Sequence, residues 1–161
     1  MTTFEAKRVT RSYIQRVVAP PNVIFPLLCP VREAEWLDGW DYELIYSASG
    51  FAEEGCVFKS KQPGEPDTIW LITEHDKEKY RVEFARVTPD SRVAKVNINL
   101  SDNQDGTTSA AITYVVTALN DAGNEFVDSY TEESFRQAMV WWEKSINHFL
   151  QSGEKLKKER A

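Results

Sequence analysis

The most regular pattern of apolar and polar positions lies near the C-terminus, over residues 131–150. Apolar side chains recur there at the three- and four-residue spacing of a helix, and charged or amide side chains occupy the opposite face. The apolar stripe contains Phe135, Ala138, Met139, Trp142, Ile146, Phe149 and Leu150. Thr131 suits the N-cap, although Ser129 with Glu132 also fits a capping box. The pattern predicts an amphipathic helix about 30 Å long, which has to lie on another apolar surface.

Upstream of this helix the period changes to two, which indicates β-strands. Predicted strands cover residues 8–18, 40–48, 56–61, 68–74, 79–87, 91–101 and 107–119. Two short helices are predicted after the first strand, at residues 22–28 and 31–37, with prolines limiting their length. The turns between the later strands are too short for crossover helices, so the sheet is predicted to be antiparallel.

This order of elements predicts an α+β fold, a helix-grip in which six to seven antiparallel strands wrap around the long C-terminal helix. The sheet must curl because strands twist, and its convex face, with Lys95, Asn97 and Thr113, would meet water. One helix cannot fill the whole concave side, and the two short helices can close only one end. We therefore expect a cavity or cleft there, with a fully packed aromatic core as the alternative.

Composition bounds the class of protein. The 161 residues, 42% hydrophobic and 27% charged, predict one domain over residues 1–161, with its core at about 8–153 and a frayed, charged tail at 154–161. A formal net charge of -6 argues against nucleic acid or an anionic membrane surface as partner. No signal peptide or apolar run long enough to span a bilayer is recognisable, so we expect a cytoplasmic protein without membrane insertion.

Motifs for catalysis, metal binding or cofactor binding are missing from the sequence. There is no glycine-rich phosphate loop, nucleophile elbow or paired metal-ligand spacing, so neither a metal nor a cofactor is predicted. Cys29 and Cys56 are interpreted as buried structural thiols. His75 is interpreted as a solvated turn residue and His148 as an edge histidine beside an exposed Trp141, which would also suit a homodimer or partner surface.

Carboxylates form one group that could carry chemistry. They surround two tryptophans at residues 36 and 40 and comprise Glu33, Glu35, Asp38, Asp41 and Glu43. Glu35 or Asp38 near a pocket mouth could act as a general acid or base if burial shifted its pKa. A solvated helix face explains the same residues equally well.

Aromatic side chains are the stronger signal. Most of them fall on the predicted concave side of the sheet or on the facing helix. The candidates for a ligand cavity are Trp36, Trp40, Tyr42, Tyr46, Phe58, Trp70, Phe84, Tyr114, Met139 and Trp142. The other predicted concave positions are almost all apolar, and no catalytic residue is assigned.

Several turn, cap and packing features together resemble the SRPBCC superfamily, the START-related helix-grip proteins, over residues 10–153. They are Ala19-Pro20-Pro21, the run Glu35-Trp36-Leu37-Asp38-Gly39-Trp40, Thr68-Ile69-Trp70, Thr88-Pro89, Gly106-Thr107-Thr108, and Trp142 in a helix that ends Asn147-His148-Phe149-Leu150. The polyketide cyclase/dehydrase-like and heat-shock-chaperone-activator-like branches look most similar. The resemblance implies a pocket for a hydrophobic small molecule between the long helix and the sheet, and it supplies no catalytic residue.

Three functions follow as hypotheses. The leading one is a binder or carrier of a lipid, aromatic or polyketide-like molecule. The second is a cyclase, dehydrase or hydrolase-like enzyme acting on such a ligand, placed second because the cavity positions lack ionisable groups. The third is a co-chaperone-like interaction module, which rests on fold analogy alone.

Overall fold

A seven-stranded antiparallel sheet and a long C-terminal helix organise the molecule, described here for residues 3–159 from a computed structural model. The elements in chain order are β1 (Arg8–Val17), α1 (Pro21–Ile24) with a 3₁₀ turn (Phe25–Leu27), α2 (Pro30–Trp36), β2 (Tyr42–Tyr46), β3 (Val57–Ser60), β4 (Thr68–Asp76), β5 (Arg81–Thr88), β6 (Arg92–Asp102), β7 (Thr108–Ala118), α3 (Asp121–Ser129) and α4 (Glu132–Ser152). This arrangement confirms the predicted α+β helix-grip architecture, including the two short helices after the first strand.

The sheet has the strand order β1-β7-β6-β5-β4-β3-β2, and every neighbouring pair is antiparallel. Strands β2 to β7 form a meander, and β1 closes the order by pairing with β7. Alternate side chains of the central strands are buried on the concave face, as in β4, where Trp70 and Ile72 are buried while Ile69 and Leu71 are exposed.

The long helix begins and ends as its sequence predicts. Thr131 Oγ1 accepts a hydrogen bond from the Ser134 backbone N–H at 3.1 Å, which identifies Thr131 rather than Ser129 as the N-cap. Gly153 follows the last turn in the left-handed conformation, with a φ of 76°. The backbone carbonyl of Met139 accepts a hydrogen bond of 3.0 Å from the buried Gln15 amide of β1, so α4 is attached along that edge strand.

Helix α3 is an element that the sequence patterns did not predict. The Asn120 side chain caps it by accepting a hydrogen bond of 2.9 Å from the Gly123 backbone N–H. Gly123 faces the turn between β5 and β6, where an added Cβ would lie only 2.0 Å from the Ser91 carbonyl oxygen. The missing side chain therefore permits the close packing of α3 on the sheet.

Residues 154–159 after α4 are docked, which corrects the prediction of a frayed tail for this part of it; residues 160–161 lie outside the described residues. Leu156 forms a parallel bridge with Leu37 just after α2. The Lys158 backbone N–H donates to the Asp38 carboxylate at 2.9 Å, and Lys157 Nζ lies 3.8 Å from the other oxygen of the same group. Hydrogen bonds and charge pairs to one aspartate thus hold a segment that looks, by composition, like a solvated tail.

Two boundaries in the sheet also differ from the prediction. The strand expected at 40–48 is only β2, and a register shift between Leu44 and Tyr46 interrupts its pairing with β3. Strand β4 continues further than expected and includes His75, whose ring centroid lies 4.9 Å from that of Phe25. His75 is therefore a half-buried strand residue, and its burial lowers the pKa of the imidazole.

Candidate ligand cavity

A cavity of about 420 Å³ lies between the concave face of the sheet and helices α2, α3 and α4. This volume falls within the usual range for small-molecule sites, about 300–1,000 Å³. Strands β3 to β7 supply its floor, and α4 supplies Ala138, Met139, Trp141 and Trp142 on the opposite side. The exposed residues Lys61, Gln62 and Lys158 also line it, so they mark its mouth.

Most of the aromatic candidates predicted from the sequence contribute to this wall. The cavity-lining members of the set are Trp40, Phe58, Trp70, Phe84, Tyr114, Met139 and Trp142. The rings of Phe58 and Trp70 stack with centroids 5.4 Å apart, and Phe84 meets both of them edge-on. Their role in binding a ligand stays a prediction, but the structure places them together.

Three candidates do not line the cavity. Trp36 is completely buried, its indole N–H donates to the Leu27 carbonyl at 3.0 Å, and its ring packs on Trp142 at 5.6 Å. Tyr42 stacks on Trp40 at 6.2 Å without reaching the cavity. Tyr46 is 64% exposed because the register shift in β2 turns it away from the concave face.

The cavity wall contains ionisable groups, which corrects the expectation that almost all concave positions are apolar. Glu33 of α2, Arg86 of β5, Arg92 of β6 and two tyrosines, Tyr114 and Tyr130, all line it. Regular patterns point to two of these residues. Arg86 lies two residues after Phe84 on an alternating strand, and Glu33 lies three residues before the buried Trp36 on one helix.

Glu33 is the carboxyl group with the most unusual environment. It has no ion pair within residues 3–159, and burial raises its pKa to about 8. Of the two carboxylates favoured from the sequence, Glu35 pairs with Arg32 on the outer side of α2, and Asp38 holds the C-terminal segment at the cavity mouth. The carboxyl group able to exchange protons inside the cavity is therefore Glu33.

The two arginines on the concave face differ in their partners. Arg92 lies 3.2 Å from the Glu65 carboxylate and 3.4 Å from the centroid of the Phe126 ring, so it is held between β6, a loop and α3. Arg86 has no carboxylate partner within residues 3–159, and its guanidinium carbon lies 4.7 Å from the Trp70 ring centroid. Arg86 thus presents an unneutralised charge to the cavity.

The tyrosine hydroxyls on the wall are also perturbed. Burial raises the pKa of Tyr114; the positive charge of Arg86 opposes this rise, and the negative charge of Glu33 adds to it. Burial likewise raises the pKa of Tyr130. Both phenols therefore remain protonated at neutral pH and can donate hydrogen bonds into the cavity.

The helical wheel predicted an exposed Trp141, and the structure shows that this prediction was wrong. Trp141 is half-buried and lines the cavity, because the C-terminal segment covers it and places Lys158 Nζ 5.4 Å from its ring centroid. Its indole N–H is buried without a hydrogen-bond partner. This donor is an unsatisfied polar atom that is enclosed by protein, although other atoms of the residue line the cavity.

The remaining chemistry is sparse. Cys29 and Cys56 are buried free thiols; the Cys29 sulfur accepts a hydrogen bond from the Ala52 N–H, and burial raises the pKa of Cys56 to about 11. Within residues 3–159, no group of three histidine, cysteine or acidic side chains converges in a way that could hold a metal ion. No helix in that range is both long and apolar enough to cross a membrane.

Solved structures share this architecture. Norcoclaurine synthase from Thalictrum flavum, in complex with dopamine and hydroxybenzaldehyde, superposes with a TM-score of 0.67 at 12% identity, covering 96% of this chain and 91% of that one. The Zhui aromatase/cyclase from Streptomyces sp. R1128 gives a TM-score of 0.67 at 10% identity, covering 94% and 100%. Ara h 8.0201 gives 0.62 at 16% identity, covering 91% and 99%.

The chain shares the helix-grip fold of these solved structures. Neither a protein-family model nor a curated protein sequence matches it. The similarity to this helix-grip group therefore lies in the path of the backbone, and the cavity of this chain has to be interpreted from its own side chains.

Proposed function

We propose that the chain binds a hydrophobic small molecule in the cavity between the sheet and α4. The observation that supports this proposal is the cavity itself, about 420 Å³ in volume and walled largely by the rings of Trp40, Phe58, Trp70, Phe84 and Trp142. Burial of apolar ligand surface against such a wall contributes about 25 cal/mol per Å². The phenols of Tyr114 and Tyr130 on the same wall would orient polar atoms of the ligand.

The neighbouring solved structures are consistent with this proposal. One of them holds two aromatic molecules, dopamine and hydroxybenzaldehyde, and another is an aromatase/cyclase. We infer by analogy of fold that an aromatic or polyketide-like molecule would suit this cavity. The analogy supports the class of ligand, whereas the individual contacts must come from the residues of this chain.

A neutral fluorescent probe tests the proposal directly. N-phenyl-1-naphthylamine should bind the purified protein at one site, with an increase in probe emission. Ala94 lines the cavity, so Ala94→Phe should fill part of it and weaken binding at least tenfold. Ala111→Phe, on the opposite face of the neighbouring strand β7, is the matched control and should bind like the wild type.

Two results would contradict binding of the probe in this cavity. If N-phenyl-1-naphthylamine fails to bind, or if Ala94→Phe and the wild type bind it equally while both are folded by circular dichroism, the cavity is not the binding site. Native mass spectrometry of freshly purified protein would add a second measurement, because a co-purified ligand should leave the Ala94→Phe variant first.

A second candidate function, proton-transfer catalysis on the bound ligand, is favoured by Glu33. A general base needs a pKa near the working pH, and the pKa of this carboxyl is raised to about 8 inside the cavity. The Glu33 carboxylate would take a proton from the carbon next to a ligand carbonyl, and the C–H electron pair would move into an enolate. The same carboxyl would then return a proton.

Hydrogen exchange on 2-tetralone in D₂O tests this second function. The wild type should exchange the protons next to the carbonyl faster than buffer does. The rate acceleration by Glu33→Gln should be at least about 100-fold smaller than that by the wild type. Glu35→Gln, which changes a surface carboxyl of the same helix, is the control and should retain it. Equal rates for Glu33→Gln and wild type would leave binding as the function.

Three further hypotheses remain predictions from the sequence. They are the cytoplasmic location, the formation of a homodimer and the co-chaperone-like role. The homodimer hypothesis has lost one argument, since Trp141 is covered by the C-terminal segment.

A further inference from the structure

The charge on Arg86 is the feature of the cavity that the binding of a purely apolar molecule leaves unexplained. Its guanidinium lies on the concave wall beside Trp70 and has no carboxylate partner within residues 3–159. Arg86 is half-buried, and its side-chain contact with the Tyr114 phenol is with a neutral group. A partly desolvated charge that has only neutral partners is incompletely compensated. Ligand atoms that complement this charge would therefore contribute more binding free energy than an apolar group placed at the same point.

The carboxyl groups on the cavity wall are unable to supply that partner. Glu65 is engaged by Arg92 at 3.2 Å, and Asp38 is engaged by the C-terminal segment. Glu33 is mostly protonated at neutral pH because burial raises its pKa to about 8. The cavity thus has an uncompensated positive charge at pH 7, and Lys61 and Lys158 extend the positive potential to its mouth.

Hydrogen-bond donors also face the cavity. The phenols of Tyr114 and Tyr130 keep their protons because burial raises the pKa of both. Protonated Glu33 adds a hydroxyl donor. A ligand that fits such a wall carries acceptor oxygens, and the planar guanidinium fork matches a carboxylate through two parallel hydrogen bonds.

We propose that the ligand is a hydrophobic carboxylic acid, bound with its carboxylate on Arg86 and its apolar body along Phe58, Phe84 and Met139. This inference rests on the proposed binding function and names the chemical class of the ligand. The cation–π contact of the guanidinium with Trp70, at 4.7 Å from the ring centroid, restrains the Arg86 side chain before the ligand arrives. The positive residues at the mouth favour the approach of an anion over that of a neutral molecule of the same shape.

Two matched probes separate charge from shape. Titration calorimetry at pH 7.5 should show that 2-naphthoate binds at least tenfold more tightly than 2-naphthamide, which has the same ring system without the charge. The naphthoate affinity should fall as salt is raised, whereas the naphthamide affinity should change little. This comparison uses the wild-type chain alone and does not depend on the folding of a variant.

Substitution at Arg86 identifies the residue responsible. Arg86→Gln should remove the preference for naphthoate and leave naphthamide binding within about threefold of wild type, and Arg86→Lys should keep part of the preference because it retains the charge without the fork. Arg81→Gln, on the outer face of the same strand, is the control and should keep the full preference. Lys158→Gln should slow association and retain the preference at equilibrium.

Each contrary result has a distinct meaning. If both naphthalene compounds bind the wild type equally, or if Arg86→Gln keeps the preference, the acid-binding inference is overturned and the binding function stands. If N-phenyl-1-naphthylamine binds and naphthoate does not, the inference is again overturned alone. If none of the three compounds binds, the proposed function fails, and the inference fails with it.

Discussion

Glu33 is a carboxyl group whose environment differs from that of Glu35, the other acidic side chain on α2. It lies on the same helical face as Trp36, three residues away, so the burial that anchors the tryptophan also carries the carboxyl into the cavity wall. Glu35 lies about 100° away from Trp36 and pairs with Arg32. The spacing from the anchoring tryptophan, rather than proximity in sequence, separates the two carboxyls.

The raised pKa of Glu33 makes a pH-dependent contribution to stability. Between its ordinary value of 4.5 and the folded value of about 8, the folded protein holds a proton that the unfolded chain has lost, so this group lowers the stability as pH rises through that window. Glu33→Gln should therefore match the wild type at pH 4.5 and be more stable at pH 9, by up to about 4 kcal/mol. Water entering the cavity would reduce this difference.

Urea unfolding at the two pH values measures the effect. Glu35→Gln, which removes a carboxyl from the same helix outside the cavity, should show less than about 1 kcal/mol of change between them. An unfolding free energy of Glu33→Gln that runs parallel to that of the wild type from pH 4.5 to 9 would show that the Glu33 carboxyl is solvated.

Single residues of the candidate site were predictable to the extent that a regular period determined their direction. Phe58, Trp70, Phe84 and Tyr114 follow the alternation of well-paired strands and lie on the concave side as expected. Arg86 obeys the same alternation, but a charged residue is not expected to face inward from composition alone. The alternation along β5 gives its concave position, whereas its lack of a carboxylate partner depends on the elements that pack around it.

At the scale of the element, α3 shows why a short helix escaped prediction. Its residues Asp121–Ser129 include a glycine and an asparagine, which have low helix propensity. Only two residues of this helix are buried. Its stability comes from the Asn120 cap and from contact with the sheet rather than from its own sequence. The element matters for the site, because Phe126 of α3 lines the cavity and supports Arg92.

Substitution of Gly123 tests the close contact that fixes α3. In an ordinary helix, Gly→Ala stabilises by about 1 kcal/mol, but here the new Cβ would lie 2.0 Å from the backbone oxygen of Ser91. Gly123→Ala should therefore destabilise the protein by about 1–3 kcal/mol, measured by urea unfolding. Glu125→Ala, at an exposed position of the same helix, is the control and should change stability by less than about 0.5 kcal/mol.

The edge strand β2 illustrates the opposite problem. Its type was predicted correctly, but the directions of its side chains were not. Alternation counted along residues 40–48 places Tyr42 and Tyr46 on one face. The register shift between Leu44 and Tyr46 breaks the alternation, so Tyr46 faces solvent. Irregular pairing of this kind depends on the partner strand β3 and is invisible in the strand itself.

At the scale of the whole molecule, the C-terminal segment joins parts of the chain that are distant in sequence. Lys158 and Asp38 are 120 positions apart, and their contact brings the end of the described chain against α2 at the cavity mouth. The hydrogen bond from the Lys158 backbone, followed by the charge of Lys157, lowers the pKa of Asp38. The attachment is therefore present at neutral pH and is lost as pH falls through this lowered pKa.

Removal of the Asp38 charge should release the segment. Asp38→Asn is expected to raise the rate of trypsin cleavage after Lys155 and Lys157 several-fold at pH 7.5, because the free segment spends more time in extended conformations. Asp41→Asn removes an identical charge at an exposed position three residues later and should cleave like the wild type. Identical cleavage rates for Asp38→Asn and the wild type would show that the aspartate does not hold the segment.

The sequence by itself determined the order and type of the main elements, because hydrophobic periodicity, cap residues and turn residues act over a few positions. It was sufficient for the antiparallel sheet, the long helix and the aromatic character of the concave side, whereas the choice of Thr131 over Ser129 as the cap came from the structure. The resemblance carried by its turn and packing features was sufficient for the helix-grip architecture, which the solved structures share.

Only the tertiary structure decided which polar groups meet inside the cavity and what closes it. Glu33, Arg86 and Trp141 come from a helix, a strand and a second helix that are far apart in the chain, and the docked segment around Lys158 completes their enclosure. The protonation of the carboxyl, the lack of a carboxylate partner for the guanidinium and the unsatisfied indole donor all depend on distances between those elements. Local patterns carry no information about such distances, since burial and charge pairing arise only when the elements pack.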